Sequence, residues 1–463
     1  MNVIWIVADT LRRDHIGAYG NVRVRTPEID GLATRALRFD RHYAAGFPTM
    51  PTRADHATGR WTMSFLPWGP LPDGLPTLAE YAARSGIHTA AVVDTPFYLR
   101  QGMNYDRGFQ TFFTIQSQEG SPTRVPGTGH HESRDLVAWW RKESDRSVAQ
   151  TMIRAGDWLE RHYREHFFLY VDTWDPHEPW DAPEYYTEQY WPGYDGEILQ
   201  PIYGLWPEHS AWTEERIAKA HATYCGEITL VDTWVGHFLR KVENLGLHEN
   251  TAVIFTSDHG FYFGEHGGHF GKMVFGHRPD GSRFTHGERD AAWDHSPLYE
   301  EVSGIPLIVR LPEGTTGAYD GLTSAIDLMP TVAELLGLEV PSWVTGTSLV
   351  PALRTGDSSS SREYTVTSIP FANDGVVKSV DNVTRGLEAP LVSTITTSRW
   401  TLLYSSAPGR SELFDLSVDP RQEVNVIDAQ TEVANELHVR LIQFMRDQGV
   451  PEQLIADRGE LRR

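Results

Sequence analysis

Apolar residues along this chain gather into short runs that are hydrophobic on both alternating faces. NVIWIVAD (2–9), IHTAAVVDT (87–95), FFLYVDTWDPH (167–177), TAVIFTSDHG (251–260) and IPLIVRLP (305–312) each read as a strand buried on two sides. Between them the period changes to that of helices. Thr26-Pro27 reads as a cap followed by a first-turn proline. A long helix is expected from about Glu214 to Leu245, with Ile217, Ile228, Val231, Val235, Leu239 and Val242 on one stripe and Gly246 as its stop. Strands of this type alternating with helices predict an α/β fold: a three-layer α/β/α core around a large, mostly parallel sheet.

The pattern changes after LTSAIDLMPTVAELLGL (322–338), where RTGDSSSSREYT brings charge, glycine and four consecutive serines. A boundary near residue 355 separates a catalytic domain, 1–355, from a C-terminal α+β subdomain, 356–463. In the latter, VVKSVDNVTRGL, STITTSRWTLLYS and SELFDL alternate as antiparallel strands, and EVANELHVRLIQFMRDQG reads as a closing helix. Residues 104–145 read as a long loop of the kind that covers a site.

Three of the strand-like runs end in residues that bind metals or anions: Asp9, then Asp175 with His177, then Asp258 with His259. The carboxyl ends of strands are where open α/β sheets bind ligands, so one shared site explains the three clusters together. Carboxylate and imidazole donors suit a divalent ion, whether Mn, Zn, Mg or Ca.

The balance of charges narrows the substrate. Lys plus Arg number 41 against 62 Asp plus Glu, a formal charge of -21 that opposes nucleic-acid binding. No run reaches a membrane span and the N-terminus lacks signal-peptide features, which gives an expectation of a soluble, cytoplasmic protein with no membrane partner. A homo-oligomer is compatible with all of this. The one cysteine, Cys225, excludes an intramolecular disulfide and reads as a small buried apolar residue rather than a nucleophile.

A further stretch, FPTMPTRADHATGR (47–60), places Thr49 two residues before Pro51 and four before Arg53. Taken with NVIWIVADTLRRDHIGAYGN, DPHEPW, TSDHGFYFGEHG, FGK, LYEEVSGIPLIV and ELFDLSVDPRQEVN in that order, the chain resembles a sulfatase-type member of the alkaline phosphatase superfamily over nearly its whole length. The resemblance implies that Asp9, Asp258 and His259 hold one divalent metal ion, with Thr49 as a nucleophile touching it. It implies that Arg53 holds the nucleophile or the transferred group, and that His177 and Lys272 contact anionic oxygens or the leaving group. Pro51 suits the first turn of a helix whose amides face Thr49.

Departures from that family's pattern bear on the reaction. Type I sulfatases carry cysteine where Thr49 stands and oxidise it to formylglycine; the methyl on the threonine Cβ blocks aldehyde formation. Without the aldehyde hydrate a covalent sulfate has no elimination route, so release falls to water, which suits a phosphoryl or phosphonyl centre. Thr10 replaces a second Asp, and VVDTPFY stands where Lys and His are usual. One metal is favoured over two. An apparent insertion after Lys272 holds His277, His286 and His295, of which His295 is the best candidate for protonating a leaving group. The expected activity is hydrolysis of a small anionic phosphodiester or phosphonate monoester through a threonyl intermediate. A sulfuric ester hydrolase without formylglycine, a phosphoryl transferase and a noncatalytic binding protein stand as alternatives.

Overall fold

Val3, Trp5 and Val7 face one side of strand β1 (Asn2–Ala8) and Ile4, Ile6 and Ala8 the other, and every one of them is buried. That two-sided burial makes β1 a central strand. In this computed structural model it lies in an eight-stranded sheet with β2 (Leu37–Phe39), β3 (His88–Val93), β4 (Thr111–Thr114), β5 (Phe167–Thr173), β6 (Thr251–Ser257), β7 (Leu307–Arg310) and β8 (Gly317–Tyr319), in the order β8-β2-β7-β6-β1-β5-β3-β4. The structure describes residues 1–463 apart from 67, 96–98, 100–101, 117–140, 276–292, 296, 359–360, 371–375, 380–381, 386–391 and 408. For 293–295, 376–379 and 382–385 it describes the backbone alone.

The five strands β6-β1-β5-β3-β4 run parallel. Only β7 runs against its neighbours, β6 and β2. Its carboxyl end therefore points away from the edge where β1, β5 and β6 finish, and IPLIVRLP carries no ligand residue to that edge.

On one face, α1 (Pro27–Ala33), α3 (Ser147–His162) and α4 (Glu214–Asn244) cover the sheet, α3 and α4 packing directly on Ile4, Ile6 and Phe255, whereas α2 (Thr49–Thr58) lies on the opposite face, its His56 ring 4.9 Å from that of Trp5. On that opposite face α5 (Leu328–Leu335) closes over Val3, Trp5 and Val7. Burying a side chain of this size stabilises the fold by roughly 1.5–3 kcal/mol each. The start of α4 is capped by Thr213, whose Oγ1 accepts from the Arg216 amide at 3.2 Å, and the chain leaves it through Gly246 at φ 70°, a conformation glycine reaches without penalty. Among the described residues no helix is long and apolar enough to cross a membrane.

The expected loop at 104–145 contains an edge strand. β4 pairs parallel with β3, Ala90 opposite Thr111 through Val93 opposite Thr114. Four residues, TFFT, are too few to show a period. The segment 117–140, which includes Trp139 and Trp140, lies outside the described residues.

The C-terminal part forms a four-stranded antiparallel sheet from β9 (Tyr364–Ser368), β10 (Val392–Thr397), β11 (Trp400–Ser405) and β12 (Glu412–Asp415), closed by α6 (Thr431–Asp447), whose Leu437, Leu441 and Met445 pack on Ile395, Leu402 and Tyr404. Its edge reaches into the first part. Phe47 donates to Ser368 O and Ser368 to Ala45 O, both at 2.9 Å, and the Thr367 hydroxyl donates to Ala44 O.

Candidate active site

Strands β6, β1 and β5 are adjacent, so the residues following them meet. Asp9 continues the ladder past β1, its amide donating to Thr173 O at 2.9 Å. Thr10 then turns at φ 59°, a left-handed conformation costly for a β-branched residue. Three hydrogen bonds hold it there: its amide donates to Asp258 Oδ1 at 2.9 Å, its hydroxyl to Asp9 Oδ1 at 2.6 Å, and Lys272 Nζ donates to its Oγ1 at 3.4 Å. Thr10 thus links two carboxylates to the lysine, a role its short hydroxyl fills where a second acid was expected.

Thr49 is the first residue of α2 and Pro51 the third, in the turn where a missing amide costs no helical bond. Thr49 is 3% exposed, with Oγ1 3.4 Å from His259 Nε2. The His259 Nδ1–H donates to Gly260 O at 3.0 Å, which leaves the Nε2 lone pair facing the hydroxyl. Burial pushes this imidazole down to about 3, so it is neutral.

Arg53 lies one helical turn beyond Thr49 and is itself buried. It donates through Nε and Nη2 to Asp172 at 2.9 and 2.7 Å, through Nη1 to Asp258 Oδ2 at 2.7 Å and to Thr49 O at 3.1 Å. The guanidinium therefore sits beneath Thr49, tying helix to strand ends. Asp172 also accepts from Thr95 and Tyr170 hydroxyls, at 2.9 and 2.7 Å. It was missed as a site residue; its only signal was a lone acid near the end of an apolar run, 119 positions from Arg53.

Asp9, Asp258 and His259 each offer one donor atom, all within 4.8 Å of one another. Asp9 Oδ2 lies 2.9 Å from Arg53 Nη2 but without hydrogen-bond geometry, so this fully buried oxygen accepts no hydrogen bond. Burial first, and Asp258 second, raise the Asp9 carboxyl well above its ordinary range. At Asp258 burial acts the same way, but the Arg53 guanidinium and the Thr10 amide outweigh it and hold the carboxyl low. Two oxygens and one imidazole nitrogen around an unsatisfied carboxylate oxygen fit a divalent ion.

His177 and Lys272 meet at the rim of the cluster. The His177 Nδ1–H donates to Glu178 O at 2.6 Å, and Nε2 accepts from Lys272 Nζ at 2.7 Å. Burial and Lys272 keep His177 neutral, and Trp174 stacks on it with ring centroids 3.8 Å apart. Lys272 is near enough to lower the proton affinity of both Asp9 and His259. Asp175 goes elsewhere: its Oδ2 accepts from Val148 N in the first turn of α3 at 3.2 Å. The backbone of His295 pairs with Val274, two residues after Lys272; its side chain, with His277 and His286, lies outside the described residues.

Comparison with known proteins matches this architecture. Residues 1–338 match the family described as Sulfatase, and 287–447 the one described as N-sulphoglucosamine sulphohydrolase, C-terminal. An arylsulfatase of Clostridium perfringens is 23% identical over 93% of this chain and 90% of its own length. The multifunctional alkaline phosphatase superfamily protein PehA of Trinickia caryophylli is 26% identical over 77% of this chain and 78% of its own. The crystal structure of a phosphonate monoester hydrolase of Agrobacterium radiobacter superposes with a TM-score of 0.71 at 21% identity, covering 96% of this chain and 95% of that one, a likeness of fold. The match across residues 1–338 takes in all three strand ends and the helix that carries Thr49, and by it this chain belongs to the sulfatase family and is a hydrolase acting on ester bonds.

Proposed function

We propose that this hydrolase depends on a divalent metal ion and cleaves a phosphodiester or phosphonate monoester through a covalent Thr49 intermediate. The observation that carries the reading is the Thr49 hydroxyl, 3.4 Å from His259 Nε2, in a buried nest with no cysteine to mature. Asp9, Asp258 and His259 would hold the ion, whether Mn, Zn, Ca or Mg, which supplies charge neutralisation and a lowered pKa for a neighbouring hydroxyl. The charge of the nest supports the substrate class. With Glu178 protonated and Asp9, a ligand of the ion, ionised, Asp9, Asp172 and Asp258 face Arg53 and Lys272 with one negative charge in excess. A divalent ion turns that into one positive charge, the complement of a monoanionic transferred group rather than a dianion.

In the first step the Thr49 hydroxyl gives up its proton to solvent and its oxygen bonds to phosphorus as the bond to the departing alcohol breaks. Lys272, seated against His177, gives the departing oxygen its proton, a task for which His295 is a second candidate. Water then attacks phosphorus as the Thr49–phosphorus bond breaks, one of its protons returning to the Thr49 oxygen and the other to Lys272. Arg53 keeps the nucleophile-bearing turn in place.

The likeness to PehA, whose name calls it multifunctional, is compatible with a phosphorus centre. The arylsulfatase relative favours a second reading, sulfate ester hydrolysis, for which threonine offers no elimination route from the covalent ester. Matched nitrophenyl esters decide between them. The expected kcat/KM order is phosphodiester and phosphonate monoester first, then phosphate monoester, with sulfate giving at most a single-turnover burst. Sustained sulfate turnover above the other classes would overturn the proposal, and turnover of none would make the chain a binding protein.

A further inference from the structure

Behind the loop that follows β1, three metal-ligating side chains converge outside the site described above. His15 comes from the turn Arg13–His15, and His221 and Cys225 from α4, four residues apart and so on the same helix face. His15 Nε2 lies 2.7 Å from His221 Nε2, and Cys225 Sγ 3.8 Å from that same nitrogen. One donor atom from each falls within 4.8 Å of the other two. His15 and Cys225 are buried and His221 is half-buried. Asp14 Oδ1 accepts from His15 Nδ1–H at 2.8 Å, which fixes the tautomer that turns the Nε2 lone pair inward, the arrangement carboxylates impose on metal-ligating histidines.

We propose that His15, His221 and Cys225 form a second metal site, separate from Asp9, Asp258 and His259, that takes a borderline-soft divalent ion, zinc in the first place. Two imidazoles and a thiolate are a nitrogen and sulfur donor set, whereas the first site is richer in oxygen, so the two differ in the metal they select. Three protein ligands leave a fourth tetrahedral position to solvent on the half-buried side of His221. With metal bonds of about 2.0–2.3 Å, tetrahedral ligand atoms stand about 3.3–3.6 Å apart. The two imidazole nitrogens are closer than that and the sulfur slightly farther, so binding requires the rings to part by about half an ångström, within reach of a rotation of His221.

The charges close. Asp14 and Glu265 both pair with Arg12, leaving one negative charge in excess, and a thiolate adds a second that the ion's two positive charges meet. On binding, Cys225 gives its proton to solvent and His221 carries its remaining proton on Nδ1. The ion would pin the turn after β1 to α4. Tyr224, next to Cys225, donates to Thr10 O at 2.7 Å and accepts from Arg12 N at 2.9 Å, so the pinned segment is the one that presents Asp9 and Thr10. The site is structural, one layer behind the chemistry.

Cobalt substitution tests this without reading activity. Cys225 is the only cysteine in the chain, so a thiolate-to-cobalt charge-transfer band can arise from this site alone. The full-length protein, stripped with chelator and refilled with cobalt, is expected to show that band. Cys225→Ser and His221→Ala should each abolish it and lower bound cobalt by about one equivalent per chain, while Asp258→Asn keeps the band and loses the other equivalent. Circular dichroism establishes that each variant is folded. Absence of the band from the folded wild-type protein at saturating cobalt overturns the site, as does a band that survives His221→Ala. Should Cys225→Ser fail to fold, the wild-type spectrum and His221→Ala decide the matter.

Discussion

Thr49 presents a secondary hydroxyl at the first residue of α2, against a neutral imidazole and above a buried arginine. If that oxygen is the nucleophile, Thr49→Ala should lower turnover by at least about a thousandfold, while Thr49→Ser stays within about tenfold of wild type. Steady-state rates at matched metal content check this, and near-normal turnover by the alanine variant would make water the nucleophile. Glu178 offers a prediction in pH. Both its side-chain oxygens are buried without a hydrogen-bond partner, one of them 3.9 Å from Lys272, and burial raises the carboxyl to about 7. A carboxyl with a raised folded pKa contributes stability that is present below its unfolded value near 4.5 and is lost as pH rises through about 7. The same ionisation adds a negative charge beside Lys272, the lysine proposed to meet the departing oxygen. KM for an anionic ester should therefore rise several-fold between about pH 6 and about pH 8, and Glu178→Gln should flatten both that rise and the loss of melting temperature. A wild-type profile indistinguishable from that of Glu178→Gln would remove Glu178 from the site. Strand-end acids made Asp9 and Asp258 legible in the sequence. Asp172 and Glu178 were not, because each acts through partners that only the folded chain brings near.

At the scale of elements, β6 delivers Asp258 and His259 and then turns at Gly260, whose amide donates to Val302 O at 3.0 Å. A Cβ on Gly260 would stand 1.9 Å from Glu301 O, a backbone atom that cannot swing aside. Gly260→Ala should cost about 1–3 kcal/mol from overpacking and weaken metal binding at least tenfold by displacing His259. Thermal melting and metal titration measure the two effects, and unchanged metal affinity would show that the turn does not set the ligand geometry. Strands β1, β3, β5 and β6 were readable because each has six or seven residues and is apolar on both faces, and the four-residue β7 because it lies inside the longer apolar run IPLIVRLP. Strands β2, β4 and β8, of three or four residues, carry no period, and the reversal of β7 leaves no trace in an apolar run since both orientations bury the same side chains. The helix from Glu214 was readable over its whole length, for the apolar stripe and the Gly246 stop agree; its Thr213 cap is seen only in the structure.

Across the whole molecule, the C-terminal sheet supports the site. Strand β9 hydrogen-bonds Ala45 and Phe47, and Gly46 sits where a Cβ would meet Met63, Asp55 and Pro51, so the segment leading to Thr49 is clamped on both sides. The chain passes from one sheet to the other between Tyr319 and Tyr364, and nothing in the composition of that stretch tells that the second sheet reaches back. A chain ended after residue 355 should bind metal weakly and turn over at less than about a hundredth of the full-length rate, as refolded protein or as soluble fraction. Restoration of activity by the separately supplied C-terminal part would strengthen the conclusion, and full activity of the shortened chain would refute it. The contact between Thr367 and Ala44 spans 323 positions. On a translating ribosome the segment before Thr49 emerges early, yet its clamp waits for a strand made more than three hundred residues later, so a hydrolase built this way stays inert until that strand has emerged.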